Sequence, residues 1–168
     1  MSETPQQYTQ RMLSHIAGKN PLRLQRATHG KLVTLTKRLN QKQLIRRPAA
    51  DKWSIAEILA HLADAELVTG YRLRLILASN GTAIQAFDQD AWADTFNYSR
   101  RDPKTSLETF RMLRENNLRL LSKVPRSLWQ NYGQHQERGR ETVDHIVKLM
   151  AGHDLNHVAQ IEKITKSH

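Results

Sequence analysis

Apolar residues recur at the 3.6-residue period of a helix along several long stretches of the chain, and no stretch shows the alternation of a strand. Tyr8, Met12, Leu13 and Ile16 predict a short leading helix over 5–17, closed by Gly18 and Pro21. Leu24, Thr28, Leu32, Leu35 and Leu39 mark the inner stripe of a longer helix over about 22–42, followed by a connector around Pro48. Trp53-Ser54-Ile55-Ala56-Glu57-Ile58 is a helix start. Ser54 caps it, Glu57 completes a capping box, and Trp53 and Ile58 occupy the staple positions. Ile55, Ile58, Leu59, Leu62, Ala65, Leu73 and Ile76 carry that helix to about Ala78, where Ser79-Asn80-Gly81 ends it. Residues 82–101 are less regular, with a short capped helix suggested around Phe87-Asp88-Gln89-Asp90-Ala91-Trp92-Ala93. Asp102-Pro103 opens another long helix, with Leu107, Phe110, Leu113 or Arg114, Asn117, Leu118 and Leu121 inside. Residues 126–141 read as a polar connector, and a last helix covers Thr142 to Lys163. The expectation is an all-α protein: an up-and-down four-helix bundle of antiparallel helices with short additional helices, as one domain over 1–168.

The last helix breaks its own pattern in an informative place. Val143, Ile146, Val147, Met150, Val158, Ile161 and Ile164 form one stripe, and the gap between Met150 and Val158 is filled by His153 and His157. At i and i+4 the two imidazoles face the same way, towards what should be core. One inward histidine is usually a satisfied core residue, but two must each find a partner, and a divalent metal supplies one to both. His153-Asp154-Leu155-Asn156-His157 resembles the HExxH of zinc proteases with Asp154 in the glutamate's place. Asp is a methylene shorter and no further element of that class follows, which sets the protease reading aside. His61, between Ile58 and Ala65 on the earlier helix, also faces inward and is the best third ligand. His15, His29 and His145 show no convergent pattern and read as surface or satisfied, and His168 is terminal.

Composition narrows the chemistry. The chain has no cysteine, which excludes disulfides, thiolate ligands and a cysteine nucleophile. No apolar run approaches a membrane span and the polar start resembles no signal peptide, so the expected location is the cytoplasm. The net charge is +10, with eight Lys or Arg and no Asp or Glu between Pro21 and Arg47. A solvated helix face explains that segment. No helix-turn-helix is evident and few aromatics interleave, so a nucleic-acid binder ranks last.

WSIAEILAHLADAE at 53–66, Tyr71-Arg72-Leu73-Arg74, FDQDAWAD at 87–94, HQERGRETV at 135–143 and GHDLNHVAQI at 152–161 together resemble the DinB-like family of the DinB/YfiT class. These are small bacterial four-helix proteins, distinct from the DNA polymerase that shares the name, and the resemblance covers nearly the whole chain. It implies a divalent metal held by His61, His153 and His157, the three residues that spacing also singles out. Some relatives transfer low-molecular-weight thiols and some resemble mycothiol-dependent isomerases.

Three protein ligands leave a coordination position open, the arrangement of a catalytic site. Imidazole ligation suits zinc or nickel best, with iron, copper and manganese as alternatives. The expected activity is a metal-dependent transferase or hydrolase acting on a small molecule, with a low-molecular-weight thiol and a homodimer among the candidate partners. The alternative is a non-catalytic stress-response binding protein of the same fold. No catalytic acid or base stands out. Asp64, Asp154, Gln160 and His135 are the weak candidates, Glu57 is spent on its capping box, and Glu137 shares a loop with His135.

Overall fold

A computed structural model describes residues 3–166. The helices are α1 (Pro5–Ser14), α2 (Pro21–Thr36), α3 (Gln41–Ile45), α4 (Ile55–Ala78), α5 (Gln89–Thr95), α6 (Pro103–Lys123) and α7 (Val143–Lys166). The expected helix over 22–42 is in fact two. Asn40 and Gln43 form a capping box that starts α3, so the chain turns at 37–40. The Ser54–Glu57 capping box is present, with the Ser54 N–H donating to Glu57 Oε2 at 2.8 Å. Glu57 also pairs with Arg47, which neutralises one charge of the basic segment.

Three short strands were not expected. β1 (Thr82–Ile84) pairs parallel with β2 (Tyr132–His135), which pairs antiparallel with β3 (Gly139–Thr142). Part of the polar connector is thus a hairpin, closed by Gly139 at φ +74°. Strands of three or four residues are too short for alternation to show in sequence.

The long helices α2, α4, α6 and α7 form the expected four-helix bundle, but they do not follow one another around it. One apolar cluster joins Leu32, Ile58, Leu62, Phe110, Val158 and Ile161, and a second joins Leu73, Ile76, Leu121, Val143 and Val147, with Leu22 packed against it. These two layers fix the directions. α2 runs parallel to α7, and α4 runs parallel to α6, while the two pairs oppose each other. Simple up-and-down order is not followed, because the connections 37–54, 79–102 and 124–142 are long enough to cross a bundle end or return along its side. α1 lies on α7, where Gly152 admits it.

Between the apolar layers sits a buried polar network. Arg114 on α6 donates to Asp154 on α7 through both terminal nitrogens, at 2.6 and 3.0 Å. It also reaches Glu66 on α4 at 2.8 Å and the Gln25 carbonyl on α2 at 3.1 Å. Thr28 donates to Asp154 at 2.8 Å, and Asn117 donates to Glu66 at 2.8 Å. Arg114, Glu66 and Asp154 are 3%, 2% and 0% exposed, so their charges are balanced by one another rather than by water.

Arg114→Met should cost about 3–5 kcal/mol in urea unfolding, because two buried carboxylates lose their cation. Adding Glu66→Gln and Asp154→Asn to that variant should recover much of the loss. Gly152→Ala places a Cβ 2.0 Å from the Met12 carbonyl oxygen. It should displace α1, costing about 1–3 kcal/mol and opening residues 3–14 to limited proteolysis.

Candidate metal centre

His153 and His157 stand one turn apart on α7, and antiparallel α4 brings His61 against them. His61 Nε2 lies 2.9 Å from His153 Nε2, and His157 Nε2 lies 3.1 Å from the same atom. All three ligand atoms fall within 4.8 Å of one another. His157 Nδ1 lies 2.7 Å from Gln160 Oε1, which can only accept, so the proton is on Nδ1 and the Nε2 lone pair points into the cluster. A single proton on His153 Nε2, shared between its two neighbours, would not give each nitrogen a full partner of its own. One cation at the centre would. The edge of a tetrahedron with metal–nitrogen bonds of about 2.05 Å is about 3.3 Å, close to the two separations measured from His153 Nε2. The donor set therefore fits a divalent ion.

The rings are packed as well as converged. The Trp53 ring centroid lies 5.0 Å from that of His61, and the Phe87 ring lies parallel to His61 at 6.1 Å and 3°. Trp92 meets Phe87 edge-on at 4.8 Å. Burial pushes His61 well below the usual histidine range, with the repulsion of His157 second. Burial likewise pushes His153 down, then His157, His61 and Arg114 add to it. His157 is lowered to about 4 by burial, against the upward pull of Gln160 and with a further push from Arg11. All three imidazoles are thus neutral and able to ligate at neutral pH.

Two cavities reach the cluster. One of about 560 Å³ is lined by His61, His153, Arg72, Arg138 and Glu141. The other, about 670 Å³, is lined by His157, Gln160, Trp53 and Arg11. Tyr8 of α1 and Gln89 of α5 border both.

Of the four weak acid–base candidates, only Gln160 touches the cluster. Asp64 accepts from the Tyr98 hydroxyl at 2.7 Å and from Arg101 at 3.0 Å, tying the 98–101 segment to α4. Asp154 belongs to the Arg114 network, about 100° around the helix from His153. His135 Nδ1 accepts the N–H groups of Glu137 and Arg138 at 3.1 and 3.3 Å and so shapes the hairpin turn. His145 stands 3.9 Å from Glu141, and His15 Nε2 is buried with no partner among the described residues. His168 lies outside the described residues. Sequence reasoning missed Glu141, a 1% exposed carboxylate held by Arg138 on the cavity wall, and the aromatic wall around His61. Nothing in the spacing of either signals a site.

The depressed histidines bind fewer protons in the folded chain than in the unfolded one between about pH 4 and 6.5. Stability of the metal-free protein is therefore whole above about 6.5 and falls as the pH drops towards 4. The urea midpoint should follow that slope, and His157→Asn should flatten it.

The chain resembles known proteins over most of its length. A protein of Oceanobacillus iheyensis, named as a candidate metal-dependent hydrolase, is 30% identical over 128 residues, covering 74% of this chain and 71% of that one. Bacillus subtilis YfiT, named in the same way, is 24% identical over 115 residues, covering 68% and 65%. The solved structure of YfiT, described as having an unusual four-helix bundle topology, superposes with a TM-score of 0.82 at 20% identity, covering 99% of this chain and 90% of that one. The sequence profile of the DinB superfamily matches residues 24–161, and the chain belongs to that superfamily.

Proposed function

We propose that His61, His153 and His157 hold one divalent metal ion and that the protein is a metal-dependent enzyme acting on a small molecule, by hydrolysis or by thiol transfer. The observation that carries this reading is the convergence of three buried Nε2 atoms where two cavities meet. The hydrolase names of relatives support it. A site sealed by apolar side chains would have suited a non-catalytic binding protein better, but charged and amide groups line both cavities.

An ion with an open position supplies Lewis acidity and lowers the pKa of a bound water or thiol. Zinc and nickel suit three imidazoles best. The chain's own residues do the rest. Gln160 fixes the tautomer of His157, which orients its lone pair. Trp53 and Phe87 hold the His61 ring and keep water from its faces. Without cysteine in the chain, a thiol reactant would be part of a bound small molecule. Among the described residues no helix is long and apolar enough to cross a membrane.

Protein purified without a histidine tag or a nickel column should carry about one equivalent of divalent metal by elemental analysis. His61→Ala, His153→Ala and His157→Ala should each lose it while keeping helical circular dichroism. Unchanged metal content in all three would refute the assignment. Gln160→Ala should keep the metal but weaken it by about 10–100-fold in a competition with chelator.

A further inference from the structure

The cavity that opens from His61 and His153 has a second polar end. His61, Ala65, Thr69 and Arg72 fall on one face of α4, so the cavity floor runs from imidazole to guanidinium. Eleven residues of helix put their backbones about 16 Å apart along the axis. Arg72 is half-buried and donates to the Gln85 carbonyl, and no ion pair holds it among the described residues. Burial lowers it to about 10, with the repulsion of Arg138 next and the attraction of Glu141 and Glu137 opposing. Arg138 faces the same cavity. Glu141 engages its Nε and Nη2 at 2.6 and 3.1 Å, and Nη1 has no acceptor among the described residues.

The positive field extends to His135, which burial, then Arg138, then Arg72 hold at about 4 against the pull of Glu141. Since its Nδ1 accepts two backbone N–H groups, the proton sits on Nε2, a buried donor without a partner among the described residues. The carboxylates on this cavity do not neutralise Arg72. Glu141 is taken by Arg138, Asp88 caps α5 through the Ala91 N–H, and Glu137 is exposed. Two guanidinium groups line one cavity, and one of them has no carboxylate partner among the described residues, an arrangement that suits an incoming anion.

We propose that Arg72 and Arg138 Nη1 form an anion subsite that seats a carboxylate or phosphate group of the substrate, with the reacting part of the same molecule at the histidine cluster. The substrate class is then an anionic small molecule, extended enough to separate those two parts by several bonds. This deepens the enzymatic reading above and rests on it for the word substrate, but the subsite binds its anion without a metal.

The test uses the full-length protein in two forms, stripped with chelator and loaded with zinc. Each is titrated with inorganic phosphate and, separately, with acetate, while backbone amide shifts are followed by NMR. Saturable shifts are expected at residues 85–87 and 136–139 in both forms, with dissociation constants on the order of millimolar. Arg72→Met should weaken them about tenfold or more, and Arg72→Lys should recover part of the loss. Because no carboxylate pairs with Arg72, the anion-free Arg72→Met spectrum should differ from the parent only near Arg72 and Gln85, whose carbonyl loses its donor, and the titration is read against that spectrum. A response to only one of the two anions supports the subsite and tells carboxylate from phosphate. No saturable shift with either anion overturns it. So do shifts that need zinc and survive Arg72→Met, since the anion is then at the histidines. If zinc fails to bind while the Arg72-dependent shifts persist, the subsite stands and the metal reading falls.

Discussion

Arg114 must be neutralised inside the bundle, and that constraint arranges the rest. A guanidinium at 3% exposure has no water to turn to, so Asp154 and Glu66 are drawn to it from two other helices, with the Gln25 carbonyl from the fourth. Apolar layers on either side could tolerate some sliding of one helix on another. The bidentate pair with Asp154 tolerates little, because both bonds depend on the plane of the guanidinium. Asp154 follows His153 directly in sequence. Fixing the direction of Asp154 towards α6 turns His153 and His157 towards α4, where His61 waits. The metal-like cluster is thus positioned by a network that does not touch it.

The helix directions give that cluster its access. With α2 parallel to α7 and α4 parallel to α6, the chain must return along the bundle between α4 and α6. The returning segment 79–102 brings Phe87, Asp88 and Gln89 to the histidines. A simple hairpin between α4 and α6 would leave those residues elsewhere. β1, at the start of the same segment, pairs with β2 and so brings in the 136–138 turn with Arg138. The small sheet therefore contributes to the cavity wall, although it adds little to the core.

The histidine triad was legible because it interrupts a pattern. A polar residue in an apolar stripe stands out, and three that sit inward at compatible depths suggest one another. The start of α4 was legible for a local reason, since Ser54 and Glu57 satisfy each other within one turn. Arg114 was harder. Beside Leu113 it reads as a register ambiguity, and only the carboxylates on other helices decide which residue goes in. The break between α2 and α3 turned on Asn40 and Gln43, a capping box inside an otherwise continuous helical pattern. The parallel pairing of the helices and the three strands depend on contacts far apart in sequence, which periodicity does not encode. Phe87 and Arg138 reach the site on irregular segments for the same reason.

The three rings are held by unequal means, and this bears on what the cluster can do. His157 has an acceptor on Nδ1, whereas the Nδ1 atoms of His61 and His153 have no protein partner among the described residues. A ring whose distal nitrogen is hydrogen-bonded keeps its orientation and gains basicity as a ligand. His61 instead keeps its orientation by packing against Trp53 and Phe87, and His153 by the rotation of α7 that Asp154 sets. Packing and helix rotation fix direction but add no electron density to the imidazole. The cluster therefore combines ordered geometry with modest ligand basicity, and an ion held there would be more electrophilic than one on carboxylate-backed histidines. On the reading proposed above, such a centre would suit activation of a bound water or thiol better than the tight closure of a structural site.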